Sequence, residues 1–296
     1  MAKNNKKWII IFLMPSVILF MVIFAYPLIN VFYTSFFHST AFDKQYFIGI
    51  QNYIDLFTKD STFKTALKNT IIWILFQSTI HVTFGVIVAI VLSKKIRGWK
   101  VARAAFMVPN IISAAALGML FLNIFNPQIG FVNGFMKIIG WKNFNVNWFA
   151  NGNTAFFSVT LTWILYAGLI TLLVMSEIGA IPETVFEAAK IDGANDLEID
   201  LFIILPNLKN IIQTAVILAA TSMITQFDLI YITTGGGPGD STINLGLYLY
   251  KVANLESNYG VSNAIGVVQI VVGLVAVFLI AKIFNIGKKD AQEDIS

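Results

Sequence analysis

The segment Ile181-Pro182-Glu183-Thr184-Val185-Phe186-Glu187-Ala188-Ala189-Lys190-Ile191-Asp192-Gly193-Ala194-Asn195-Asp196 joins an acidic surface to an apolar side, a pattern suited to docking a partner and not to making or breaking bonds. Pro182 suits the first turn of a helix and Glu183 its positive N-terminal end. Val185, Ala188, Ala189 and Ile191 supply the apolar side, with Phe186 nearby, and Gly193 can close the helix in a left-handed conformation. A second short element, Leu197 to Leu205, is expected to stop at Pro206. Between Glu177 and Asp200 seven acids stand against one base, Lys190. Two readings fit these residues: a loop that inserts into another protein, or an interfacial helix packed on the chain's own bundle.

Other polar residues fall where the chain is otherwise apolar. Gln226 and Asp228 sit in one hydrophobic stretch and Trp163 and Tyr166 in another. Gln77 and His81 are four residues apart and share a helical face. A charge at membrane depth usually faces a bundle interior or a water-filled path. Asp228 lies about a turn from the end of its stretch, so it either lines such a path or reaches water. Catalysis has little to work with. There is no cysteine, and His38 and His81 are far apart with no metal-ligand spacing. No catalytic residue and no metal site are expected. The run Gly235-Gly236-Gly237-Pro238-Gly239-Asp240-Ser241-Thr242 lacks the lysine of a phosphate loop and reads as a tight turn, so the chain should not hydrolyse ATP.

The elements that hold these residues are membrane helices. Hydrophobic residues make up 57% of the 296 and charged residues 12%, against about 25% charged in a soluble domain. A spanning helix needs roughly 20 mostly apolar residues. Six stretches qualify: 8–33, 67–92, 102–125, 154–175, 211–233 and 264–284. The fold is expected to be all-α, one polytopic domain over 1–296. Pro15 and Pro27 are expected to kink the first span. Ala114 with Gly118, and Gly266 with Gly273, read as helix-packing contacts. Of the 20 Lys and Arg, 13 fall on the side that holds both termini and the 181–206 loop. That side is expected to be cytoplasmic. The net charge of +4 is assigned to this anchoring and not to nucleic acid.

Taken together, Glu187-Ala188-Ala189, Asp192-Gly193-Ala194 and Ile204-Leu205-Pro206 resemble the EAA loop of bacterial ABC importer permeases. The resemblance implies a type I importer architecture in a bacterial cell membrane. It implies that Glu187, Ala188, Ala189, Asp192, Gly193 and Pro206 belong to a loop docking on an ATPase. The implied partners are a second homologous permease, two ATPase subunits that bind ATP and magnesium, and an extracellular or periplasmic substrate-binding protein. This chain itself would carry no cofactor. Thr233-Thr234-Gly235-Gly236-Gly237-Pro238-Gly239, followed by Tyr248, Tyr250 and Tyr259-Gly260, is similar to the carbohydrate and glycerol-3-phosphate permeases of the maltose type. That likeness implies a carbohydrate substrate, with glycerol 3-phosphate or a polyol as the alternative. It places substrate contacts around Ser222, Met223 and Gln226, and near Tyr166. A stand-alone secondary transporter would call for several intramembrane charges, and the chain offers Asp228.

Overall fold

The computed structural model describes residues 5–285. Lys3, Lys288 and Lys289, three of the 13 basic residues on the side expected to be cytoplasmic, lie outside the described residues. The helices run in the order α1 Trp8–Thr34, α2 Gln51–Thr58, α3 Ser61–Ser93, α4 Trp99–Ile111, α5 Ala114–Ile124, α6 Phe131–Ile138, α7 Ala155–Ile178, α8 Glu183–Ile191, α9 Asp196–Asn207, α10 Lys209–Ile224, α11 Asp228–Thr233, α12 Leu245–Asn254 and α13 Tyr259–Phe284. Among the described residues α1, α3, α7 and α13 are each long and apolar enough to cross a membrane. Two bent pairs, α4 with α5 and α9 with α10, bring the number to as many as six if each pair is one span.

Two expectations need correction. The third stretch is not one straight helix: α4 and α5 meet at 111°. Ile112 is extended, and Ser113 starts a new helix by accepting from the backbone N–H of Ala116 at 3.3 Å. The fifth stretch, 211–233, breaks at Thr225–Phe227, so that Asp228 opens a separate helix. The expected stop at Pro206 holds to within one residue, the helix ending at Asn207. The backbone widens into a π-turn over Asp200–Ile204, and α9 continues through Pro206 to Asn207 before bending by 68° into α10. The wider register accommodates the amide that proline lacks. The same device, a π-turn over Met21–Ala25, lets α1 run on past Pro27.

The chain forms two compact units. One holds residues 1–64 and 248–271. Its α1 has none of its apolar window buried inside the chain, the mark of a helix that faces lipid or another protein. After α1 comes a small antiparallel hairpin, β1 Phe37–His38 with β2 Tyr46–Phe47. Asn52 ties the turn together, donating to the carbonyls of Ser35 at 2.8 Å and Phe37 at 3.0 Å. Gly266 packs against Leu249 and Val31.

The other unit holds residues 65–247 and 272–296. It centres on α7, where 56% of the apolar window is buried. Trp73 of α3 is fully buried, stacks on Phe156 at 4.5 Å, meets Trp163 edge-on at 4.9 Å and donates its indole N–H to Thr160 at 2.9 Å. Lower on the same contact, Gly85 lies so close to Ile170 that a Cβ would stand 2.8 Å from it, and Thr171 donates to the Gly85 carbonyl at 3.2 Å. Gly118 meets Ile232 and Gly273 meets Ile224 in the same manner, the small-residue contacts expected between membrane helices. The glycine run 235–239 forms a turn in which Thr242 donates to the carbonyl of Gly236 at 3.1 Å.

Candidate coupling loop and substrate pathway

Helix α8 opens after Pro182, whose extended backbone (ψ 136°) ends the preceding chain. Glu183 in the first turn and Lys190 in the last complement the helix dipole. Gly193 closes it at φ +85°, with the Ala194 amide donating to the Ala189 carbonyl at 2.9 Å. A Cβ on Gly193 would meet nothing within 4 Å, so backbone conformation and not space calls for glycine there. Asn195 then starts α9 with a capping box. Its side chain accepts from Leu197 and Glu198 N–H, both at 3.0 Å, and Glu198 accepts from Asn195 N–H at 2.7 Å.

No residue of α8 is buried. Glu187, Ala188 and Asp192 are exposed, Ala189 is half-buried, and Ile191 is 85% exposed. By contrast α9 is anchored through buried Ile199 and Ile204, with buried Leu208 just beyond it. A cleft of about 200 Å³ runs beside the start of α8, lined by Glu177, Ala180, Ile181, Pro182, Val185 and Asn207. Pro206 is the penultimate residue of α9.

The second group of residues gathers at the break between α10 and α11. Gln226 is half-buried there, and its carbonyl accepts from the Asn244 side chain at 2.6 Å. Asp228 is exposed in the first turn of α11. Tyr166, half-buried, sits at a local distortion inside α7 (ψ −2°), a helix on which α11 packs. Tyr166 and Asp228 thus stand on helices that pack on each other, with Gln226 two residues from Asp228 along the chain. The other two candidates differ. Met223 is 2% exposed and belongs to the core. Ser222 is exposed, with its hydroxyl turned back onto the Ala219 carbonyl at 2.9 Å.

Gln77 and His81 do share a face, and both are buried, on a π-turn of α3 against which α10 packs. Trp163 is buried beside Trp73. Sequence reasoning missed Asn244, whose grip on Gln226 is tertiary. It also missed the capping box, although Asn195-x-x-Glu198 is a recognisable signature. Lys94, one of the 13 basic residues read as membrane anchors, also forms an ion pair with Asp200 at 2.7 Å.

The sequence matches a family described as the binding-protein-dependent transport system inner membrane component, over residues 81–286. It is 32% identical to a probable ABC transporter permease protein, YurN, of Bacillus subtilis, over 98% of this chain and all of that one. It is 34% identical to the multiple sugar-binding transport system permease protein MsmF of Streptococcus mutans, over 93% of this chain and 95% of that one. A solved bacterial ABC transporter that imports the acidic polysaccharide alginate superposes with a TM-score of 0.84 at 21% identity, covering 97% of this chain and 99% of that one, and so has the same fold. With its helices, its bent pairs and these relatives in agreement, the chain belongs to the family of inner-membrane permease components of binding-protein-dependent ABC transport systems, and is a multi-pass transport subunit and not an enzyme.

Proposed function

We propose that this permease imports a carbohydrate and is driven by ATPase subunits that dock on the α8 loop. The observation that carries the coupling half of this reading is α8 itself. It is a nine-residue helix with an apolar side and no buried residue, held out by a glycine at φ +85°. A helix with no buried residue that presents Val185, Ala188 and Ile191 is suited to a partner's cleft. Glu187 supplies an anionic contact, and Ala188 and Ala189 allow close approach. Two ATPase subunits would bind ATP and magnesium, and a second permease would complete the pathway. The termini would lie on the ATPase side, and a binding protein would deliver substrate at the opposite face.

Relatives support the carbohydrate cargo. Besides the multiple-sugar permease, the trehalose/maltose permease of Thermococcus litoralis is 29% identical to this chain. Tyr166, Gln226 and Asp228 are the groups suited to it, because sugars are held by aromatic faces, amides and carboxylates. The test is uptake into proteoliposomes holding the full importer, with maltose, raffinose and glycerol 3-phosphate as alternative cargoes. ATP-dependent uptake of a sugar is expected. Uptake without the ATPase, or of glycerol 3-phosphate alone, overturns the reading.

A further inference from the structure

Lys94 stands at the C-terminal end of α3. Its ammonium lies 2.7 Å from Asp200 Oδ2 and 4.0 Å from Asp196 Oδ2. The two carboxylates differ: the Asp196 side chain is 82% exposed, whereas that of Asp200 is only 17% exposed. The other Asp200 oxygen, Oδ1, is buried and has no hydrogen-bond partner. A largely buried carboxylate is costly without a cation, so Lys94 compensates Asp200. A lysine at a helix C-terminus is itself favoured by the helix dipole.

The position of this pair matters more than its strength. Asp200 opens the π-turn of α9, directly after the capping box that joins α9 to Gly193 and α8. Lys94 ends α3, which is locked to α7 through Gly85, Ile170 and Thr171. The π-turn of α3, Gln77–His81, also carries the packing of α10. Both helices that lead to Tyr166 and Gln226 thus rest on α3. The Lys94–Asp200 pair is the polar link from the α8–α9 loop to that helix.

We propose that Lys94 is a positioning residue for energy coupling: by holding Asp200 it makes the α8–α9 loop and α3 move as one body, so that displacement of a docked loop reaches the helices of the pathway. The proposal rests on the reading of α8 as the ATPase-docking helix. Without Lys94 the loop would still dock, and its motion would be absorbed at the joint between α9 and α3.

The test uses the complete importer in proteoliposomes, with binding protein equilibrated in a mixture of maltose, raffinose and glycerol 3-phosphate. Two quantities are read: ATPase co-purification, and the stimulation of ATP hydrolysis by the binding protein. Lys94→Ala is expected to keep co-purification and to lose stimulation by at least about fivefold, the lower end of ordinary coupling between sites. Lys94→Arg is expected to retain it, and Lys94→Asp combined with Asp200→Lys to recover more than either reversal alone. Stimulation unchanged in Lys94→Ala overturns the proposal. So does loss of co-purification, which would assign Lys94 to building the loop. Should Lys94→Ala fail to insert, Lys94→Gln, which keeps most of the side-chain stem, is judged by the same standard. Gly193→Val in the same assay separates the two readings. If it leaves stimulation intact, the docking role of α8 fails; if it abolishes stimulation while Lys94→Ala does not, only the role of Lys94 fails.

Discussion

Helix α8 and the break between α10 and α11 both depart from a plain membrane span, and they do so for opposite reasons. Nothing in α8 is buried, so the packing of this chain does not account for its residues. At the break, Met223, Ile224, Leu229 and Ile230 are all buried. There packing accounts for most residues and leaves Gln226, Asp228 and Tyr166 as the polar remainder. A substitution in α8 therefore reports on whatever the helix meets outside the chain. A substitution at the break reports on the core or on the cargo, depending on which side chain is chosen.

The largest effect is expected in α8. Ala188→Leu with Ala189→Leu adds volume to a helix with no buried residue, Ala188 exposed and Ala189 half-buried, so folding should tolerate it. In a partner's cleft the same volume is overpacking, which typically costs about 1–3 kcal/mol. Binding-protein-stimulated ATP hydrolysis should fall to the basal level, and ATPase co-purification should weaken, while membrane insertion continues. Gly193→Val should do the same, since a β-branched residue is unfavourable at φ +85°. Gly193→Asn should recover part of the activity, because asparagine tolerates the left-handed region. Normal coupling in all these variants would make α8 an interfacial helix and dissolve the contrast.

Met223→Ala is the converse experiment. The side chain is 2% exposed, and truncating a buried methionine costs about 2–5 kcal/mol. The purified protein should melt at a clearly lower temperature, an effect that the α8 variants should not share. An unchanged melting temperature would mean that Met223 is not core, and would return it to the pathway.

Gln226→Ala and Tyr166→Ala come next. Each removes a half-buried polar group whose expected partner is the cargo, and one such hydrogen bond contributes about 1 kcal/mol. Uptake should fall by roughly tenfold, about 1.4 kcal/mol, with melting and ATPase co-purification preserved. If both variants take up sugar normally, the polar remainder of the break has some other use.

The same contrast explains what could be read from sequence. Apolar length revealed the membrane helices, since a helix such as α1, none of whose apolar window is buried in the chain, leaves a long uninterrupted signal. The α8 loop was legible because its determinants are local: Pro182, Glu183 and Gly193 act within a few residues of themselves. The breaks were not. The one at Thr225–Phe227 is held by Asn244 reaching the Gln226 carbonyl, and no local periodicity records that contact. Lys94 and Asp200 are far apart in sequence, so their pairing emerges only once α3 and α9 are placed.

The smallest effect, and the sharpest probe of where α8 ends and the anchored part of the loop begins, is expected at Asn195. Its side chain caps α9 by accepting from Leu197 and Glu198 N–H at 3.0 Å. Asn195 itself is exposed, so nothing else is lost with its side chain. Replacing an N-cap asparagine with alanine costs about 0.5–2 kcal/mol, enough to fray the first turn of α9 and too little to unseat buried Ile199 and Ile204. Asn195→Ala should therefore leave insertion and melting nearly unchanged and reduce stimulated ATP hydrolysis by a few-fold. Asn195→Asp, which preserves the cap, should behave as wild type. This ordering holds only if the loop transmits force through a rigid start to α9. A fall in melting temperature as large as that of Met223→Ala would show instead that the cap supports the core, and the boundary between the exposed and the packed halves of the loop would move back to Gly193.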